Sequence, residues 1–188
     1  VEPDDDEEQL QRERDFTALV DLYRVRFADA ETRGAKVTLL HKIASVYEHA
    51  LGEPDRAFDP LLDAFDLDPT DEAVAESLDR VGRELGRVGE LADRTRRNLH
   101  TADPETRVAL LGHLVYWYER VLGRGAEISP FVSEIERLDK AHPAALRRAA
   151  QLALANGDPK SQRELLQRAL DRTSRRDERV HLHLSLAS

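Results

Sequence analysis

Apolar side chains along this chain recur at steps of three and four residues, the spacing of a helix that buries one face. Leu40, Ile43 and Tyr47 follow this pattern, and residues 111–118 repeat it. Alternation of apolar and polar residues, which would indicate a strand, extends only over residues 180–186. Because that stretch comes after a helix and a loop, we interpret it as a truncated helix. The pattern therefore predicts helices along the whole chain.

Glycine and proline divide the helical segments into units of similar length. Four glycines come directly after helical stretches, at spacings of 34, 37 and 34 residues: Gly52, Gly86, Gly123 and Gly157. Glycine is typical of a helix C-cap because it takes the left-handed conformation without steric cost. Prolines follow three of these turns and suit the first turn of the next helix: Pro69, Pro104 and Pro143. Each unit is thus predicted as helix, glycine turn, helix, proline turn.

A longer repeat includes two of these units. Residues 39–48 match residues 110–119 at an offset of 71. The array begins with the second helix of a unit, at about residues 12–28, and ends within the first helix of another. Val1 also stands where a translated chain has methionine. We therefore expect this chain to be processed or to be part of a longer protein.

One complete unit resembles the tetratricopeptide repeat, a family of helix pairs with a 34-residue period. The matching positions, with one residue inserted near the glycine, are Leu40, Ile43, Ala44, Tyr47, Gly52, Ala57, Leu61, Ala64 and Pro69. The later units keep fewer of these positions. The resemblance implies an all-α fold, a right-handed solenoid of antiparallel helix pairs in which neighbouring pairs share one continuous core.

The resemblance covers residues 13–188, which we interpret as a single array after an acidic extension or helix start at residues 1–12. The array consists of a half unit, four full units and a truncated unit, at residues 13–34, about 35–70, 71–104, 105–142, 143–176 and 177–188. Pairs that are cut at both ends of the array would expose apolar faces. Self-association through these ends is therefore a further expectation.

In this family the first helix of each unit lines a concave face that binds partner peptides or protein surfaces. By register, that face carries polar side chains of mixed charge here: His41, Ser45, Glu48, Glu76, Arg80, Arg83, Tyr116, Glu119, Arg120, Arg147 and Gln151. The resemblance implies that these residues bind a protein or peptide; an ordinary solvated face is the alternative. The lysine, asparagine and arginine clamp that holds heat-shock chaperone tails is not expected, because neither Asn98 nor Asn156 is suitably placed.

Composition excludes several classes of function. The net charge of −9 disfavours binding to nucleic acid or anionic membranes, and no apolar run approaches the length of a membrane span. The chain has no cysteine for a disulfide, a thiol nucleophile or a cysteine-based metal site. His181 and His183 resemble a metal pair, but residues two apart on a helix point to different sides. We predict no catalytic residue, metal or cofactor.

The sequence therefore predicts a non-catalytic scaffold that binds a protein or peptide, with the cytoplasm as the favoured compartment. The alternative is a regulatory, sensory or spacer segment of a larger multidomain protein whose activity lies outside this chain.

Three local features of the sequence have more than one interpretation. Pro60 lies where a helix is expected. We expect this helix to be kinked at Pro60 or to have a short extra turn, with a late start at Asp59 as the alternative, and we expect the corresponding later helix to start at Ser129. Trp117 either packs against the next unit or anchors an interface. The acidic run at residues 4–8 is read as a solvated start of a helix, with docking to a basic partner as the alternative.

Overall fold

The computed structural model describes residues 5–187, and this part of the chain contains eleven α-helices and no strand. The helices are α1 Asp5–Glu13, α2 Phe16–Asp29, α3 Arg33–Ser45, α4 Pro54–Leu67, α5 Glu72–Glu84, α6 Val88–Asn98, α7 Pro104–Tyr116, α8 Ser129–Leu138, α9 Pro143–Ala155, α10 Pro159–Asp171 and α11 Arg176–Leu186. The prediction of an all-α fold is confirmed. The alternating stretch near the end of the chain is also helical, as part of α11.

The helices form two compact units that divide between Asn98 and Leu99. The first unit contains α1–α6 and the second contains α7–α11. In each unit, consecutive helices pack against each other, and the pairs α3–α4 and α9–α10 are the most closely associated.

The predicted glycine turns are confirmed at all four positions. Gly52, Gly86, Gly123 and Gly157 have φ values of +69°, +67°, +65° and +75°, which lie in the left-handed region. At Gly86 the amide of Arg87 donates a 2.8 Å hydrogen bond to the carbonyl of Gly82, which closes the end of α5 as a Schellman cap does. The glycines therefore end helices and turn the chain into the next helix.

Two of these turns are wider by one residue, because a π-helical turn precedes the glycine. Val46–Ala50 continues α3 and Trp117–Val121 continues α7, so the two π-helical turns are also offset by 71 residues. In the first, the amide of Glu53 donates to the carbonyl of Tyr47 at 2.8 Å, one residue further back than in the cap at Gly86. The residue inserted near Gly52 is thus accommodated inside the helix rather than in the loop.

Prolines mark the starts of several helices, and the position of one helix rules out an alternative that the sequence left open. Helix α8 begins at Ser129, as expected. Helix α4 does not begin late at Asp59: it begins at Pro54 and continues through Pro60. Pro54 suits the first turn of a helix, because backbone N–H groups in that turn have no hydrogen-bond partner within the helix. It therefore favours a start of α4 at Pro54, five residues before Asp59.

Each unit has its own apolar core. The first core contains large, fully buried side chains from α4, α5 and α6, among them Phe58, Phe65, Leu78 and Leu91. In the second unit the corresponding residues are Trp117, Tyr118, Leu111, Leu114 and Ile135, and a smaller cluster around Leu166, Leu170 and Leu182 joins α9, α10 and α11. Trp117 is completely buried, which favours the packing interpretation over an exposed anchor.

The acidic first helix is attached to the first unit by one buried carboxylate. Glu7 accepts hydrogen bonds from the hydroxyl of Tyr23 at 2.8 Å, from Nζ of Lys42 at 2.7 Å and from Nη1 of Arg26 at 3.1 Å. Burial raises the pKa of this carboxyl, but the hydrogen bonds and cations lower it more, so it is held below its usual value. The acidic run is thus not solvated throughout, and Asp4 lies outside the described residues.

Candidate functional site

In the first unit, polar contacts join the predicted side chains of α3 to helix α5. Nε2 of His41 lies 3.1 Å from the hydroxyl of Ser77, and Glu48 forms an ion pair with Arg80. The side chain of Glu48 is only 10 % exposed. Two first helices of successive units are therefore linked directly, although they are separated by α4 in the chain.

The other predicted residues of the first unit point in different directions. Ser45 and Glu76 are exposed. Arg83 turns back along its own helix and pairs with Asp79 at 2.9 Å. The charges of this face thus largely neutralise each other.

In the second unit, an ionic ladder crosses the helices α7, α9 and α11. Nη1 of Arg147 lies 3.0 Å from Oε2 of Glu119, and its Nη2 lies 3.8 Å from Oε1 of Glu178. Burial raises the pKa of the Glu178 carboxyl, and the opposing effect of Arg147 and Arg175 does not cancel it. Glu178 was not predicted, since the sequence analysis assigned no face residue to the truncated unit.

A cleft of about 340 Å³ lies beside this ladder. It brings together three of the predicted residues, Glu119, Arg147 and Gln151. Its further lining includes the apolar side chains Val132 and Leu182 and the imidazole of His181. A cleft with an apolar floor and a few charged groups at its rim is suited to binding a side chain or a short segment of a partner.

Two guanidinium groups dominate the electrostatics near His181. Partial burial lowers the pKa of this imidazole, and the charges of Arg120 and Arg147 lower it further, while Glu119 acts in the opposite direction. The Nη2 atom of Arg120 is buried and has no hydrogen-bond partner among the described residues. His181 is therefore held neutral beside cations.

Tyr116 is not presented at the surface, which corrects the expectation that it points into an open groove. Its side chain is 3 % exposed, and its hydroxyl donates a 2.6 Å hydrogen bond to Oδ2 of Asp177. The guanidinium of Arg175 lies over its ring, 4.1 Å from the centroid. The first turn of α11 and the residue before it therefore cover the position that was assigned to a partner.

The start of α9, which carries Arg147, is held by the imidazole of His142. Its Nδ1 accepts a hydrogen bond from the amide of Ala144 at 3.2 Å, and this capping role requires an unprotonated Nδ1. A Cβ on Gly112 of α7 would lie 2.9 Å from Nε2 of His142, so glycine is needed for this close approach. Burial lowers the pKa of His142 to about 4; Arg147 acts in the same direction and Asp139 in the opposite one.

Neither a metal-binding cluster nor a membrane-spanning helix is present among the described residues. Over residues 5–187, no group of three His, Cys, Asp or Glu side chains is arranged to hold a metal ion. His181 and His183 both lie on α11, and both are exposed. In the same part of the chain, no helix combines the length and the apolar character that a membrane span requires.

Comparisons of the chain with protein-family models, with curated proteins and with solved structures each found no match.

Proposed function

We propose that this chain is a non-catalytic scaffold that binds a protein or peptide partner. Its helix pairs are proposed to stack, within each compact unit, in the manner of the tetratricopeptide repeat, as part of a right-handed solenoid. The cleft beside the Glu119–Arg147–Glu178 ladder is proposed as the partner-binding site of the second unit.

The observation that carries this proposal is the direct linkage between the first helices of successive pairs. Glu48 of the π-helical turn after α3 forms an ion pair with Arg80 of α5, and Arg147 joins Glu119 of the π-helical turn after α7 to Glu178 of α11. Such lateral contacts are expected when helix pairs stack and their first helices form one surface. The charged groups that make these contacts are therefore already paired with each other.

The second support is the character of the cleft. Its polar rim and apolar floor offer both orientation and apolar contact to a partner. Gln151 and His181 line the cleft and are exposed, and their side chains form no hydrogen bond or ion pair within the described residues. The hydroxyl of Ser185 donates to the backbone carbonyl of His181, which a substitution leaves in place. Both side chains can therefore be changed without removing a contact that holds the fold.

The experiment begins with capture of partners by the intact chain from an extract of its source, followed by calorimetry with the purified partner. Gln151→Arg and His181→Arg should each weaken binding about tenfold or more, since a bulky cation would occupy the cleft. His183→Arg is the matched control, because His183 lies on the same helix and is exposed but does not line the cleft.

Equal binding by all three variants would show that the cleft is not the partner site. If no protein binds the intact chain in direct titrations, the scaffold proposal is wrong.

A further inference from the structure

A second concave feature of the second unit lies where the end of α9, the start of α10 and the end of α11 meet. It has a volume of about 580 Å³. Its apolar lining consists of Leu154, Leu166 and Leu186. Leu154 is 54 % exposed, which is high for a leucine that borders a cavity. Burial of this side chain under a partner would stabilise a complex.

The charged residues at this end cavity are two cations without partners and one carboxylate. Lys160 and Arg163 lie at the start of α10, are exposed and form no ion pair within the described residues. Acidic rather than basic side chains are usually favoured in the first turn of a helix, because the helix dipole is positive there. Together with Glu164, the lining carries a net positive charge in a chain whose total is −9. The end cavity therefore favours an acidic occupant.

The first unit has an exposed surface of the opposite sign. Asp5 and Asp6 are exposed in the first turn of α1 and form no ion pair within the part of the chain that the structure describes. Helix α2, which packs against α1, carries Val25 with 62 % of its surface exposed. Because Glu7 ties α1 to its own unit, these carboxylates are held in place and need not unfold to reach a partner.

We propose that the chain associates with a second copy of itself through these two surfaces, with α1 of one copy at the end cavity of the other. The contact is heterologous, since two different surfaces of the same chain meet. Carboxylates of Asp5 and Asp6 pair with Lys160 and Arg163, and Leu154 loses its contact with water. The end cavity adjoins the partner cleft, because Leu154, Gln162, Leu166 and Ser185 line both. Self-association uses the charged residues Lys160 and Arg163, which line only the end cavity, and does not require a bound partner in the cleft.

The test is sedimentation velocity of the intact chain over a range of concentrations, at low and at high salt. Association should strengthen with concentration and weaken with salt, because exposed charges are screened. The pair Lys160→Glu and Arg163→Glu should abolish association, and so should the pair Asp5→Lys and Asp6→Lys. An equimolar mixture of the two doubly substituted chains should associate again, because opposite charges then meet at both contacts.

Matched controls separate the proposed contact from general effects of charge and hydrophobicity. Lys140→Glu with Arg172→Glu makes the same change in net charge elsewhere on the second unit and should leave association unchanged. Leu154→Gln should weaken association about tenfold or more, the effect of re-exposing a leucine. Leu152→Gln should have little effect, because Leu152 is equally exposed on α9, at 57 %, but does not border the cavity.

Three results would overturn the proposal. The first is a monomer at every soluble concentration in low salt. The second is association that survives both charge reversals, which would place the contact elsewhere, for instance at the exposed Val180 and Leu184 of α11. The third is failure of the mixed reversed chains to associate while an acidic peptide of another protein binds the end cavity. Leu154 and Leu166 line both the end cavity and the partner cleft, whereas Lys160 and Arg163 line the end cavity alone. The charge reversals therefore separate self-association from partner binding, and Leu154→Gln is expected to affect both.

Discussion

Acidification should destabilise the second unit through protonation of a single partly buried histidine, His142. His142 caps α9 by accepting a hydrogen bond at Nδ1, and its other ring nitrogen is packed against Gly112 of α7. A proton on Nδ1 removes the acceptor and places a charge in a buried site beside Arg147. Protonation and capping are therefore mutually exclusive.

The sign of the effect follows from the lowered pKa. Burial lowers the pKa of His142 from 6.5 to about 4 in the folded chain, whereas the unfolded chain keeps the ordinary value. Between these two values the unfolded state binds more protons, so stability falls as the pH falls. The contribution of His142 is complete above the unfolded pKa and is lost as the pH drops toward the folded pKa.

The size of the effect follows from the same two values. A difference of roughly 2.5 pKa units corresponds to about 3 kcal/mol when the loss is complete. Between about pH 7.5 and about pH 5, the free energy of unfolding should fall by about 2 kcal/mol, because the rest of the loss occurs only below about pH 5.

Urea unfolding followed by tryptophan fluorescence is the appropriate measurement. The chain has one tryptophan, Trp117, which is fully buried in the core of the second unit and therefore reports the unfolding of that unit. His142→Asn is the matched variant, because asparagine is a good N-cap and does not titrate. Between about pH 7.5 and about pH 5, the wild-type chain should lose about 2 kcal/mol more than this variant. Parallel losses in the two proteins would refute the reasoning.

Three further predictions concern the stability of the fold, and each is tested by urea or thermal unfolding. Gly112→Ala should destabilise the second unit by about 1–2 kcal/mol, because the added Cβ would meet the side chain of His142. Gly82→Ala should stabilise the first unit by about 0.5–1 kcal/mol, since its Cβ would make ordinary contacts at 3.6 Å and alanine favours the helix. Equal effects of the two substitutions would contradict the close contact between Gly112 and His142. Glu7→Gln should cost about 2 kcal/mol by weakening three hydrogen bonds to a buried carboxylate, while the exposed Glu8→Gln should be nearly neutral. Gly52→Ala should cost about 1 kcal/mol from its positive φ, and no loss of stability would contradict the left-handed turn.

The helical pattern and the turn chemistry could be predicted from the sequence because both are local. Apolar spacing identifies the helices, and a glycine after each pattern identifies the turns that the structure confirms. The repeat spacing also showed that one residue is inserted near Gly52, but it did not show whether that residue lies in the helix or in the loop. Backbone hydrogen bonds within the helix accommodate it as a π-helical turn, and one-dimensional spacing cannot distinguish this from a longer loop.

The surface residues were harder to predict because their environment depends on distant parts of the chain. Tyr116 is covered by Asp177, which follows 61 residues later, so helical register alone could not show that it is buried. Glu7 looked like one of several solvated acids, and only the positions of Tyr23 and Lys42 make it a buried attachment point. Long-range pairing of this kind has no periodic signal in one sequence.

The most direct test of the proposed scaffold is site-specific photo-crosslinking from the cleft to a bound partner. A photoreactive residue at Gln151 should crosslink to the captured protein, because this position is exposed and lines the cleft. The same residue at Gln167, exposed on α10 outside the cleft, should not. Crosslinking from Gln151 alone is the predicted result, and a bound partner that crosslinks from Gln167 but not from Gln151 would contradict the account.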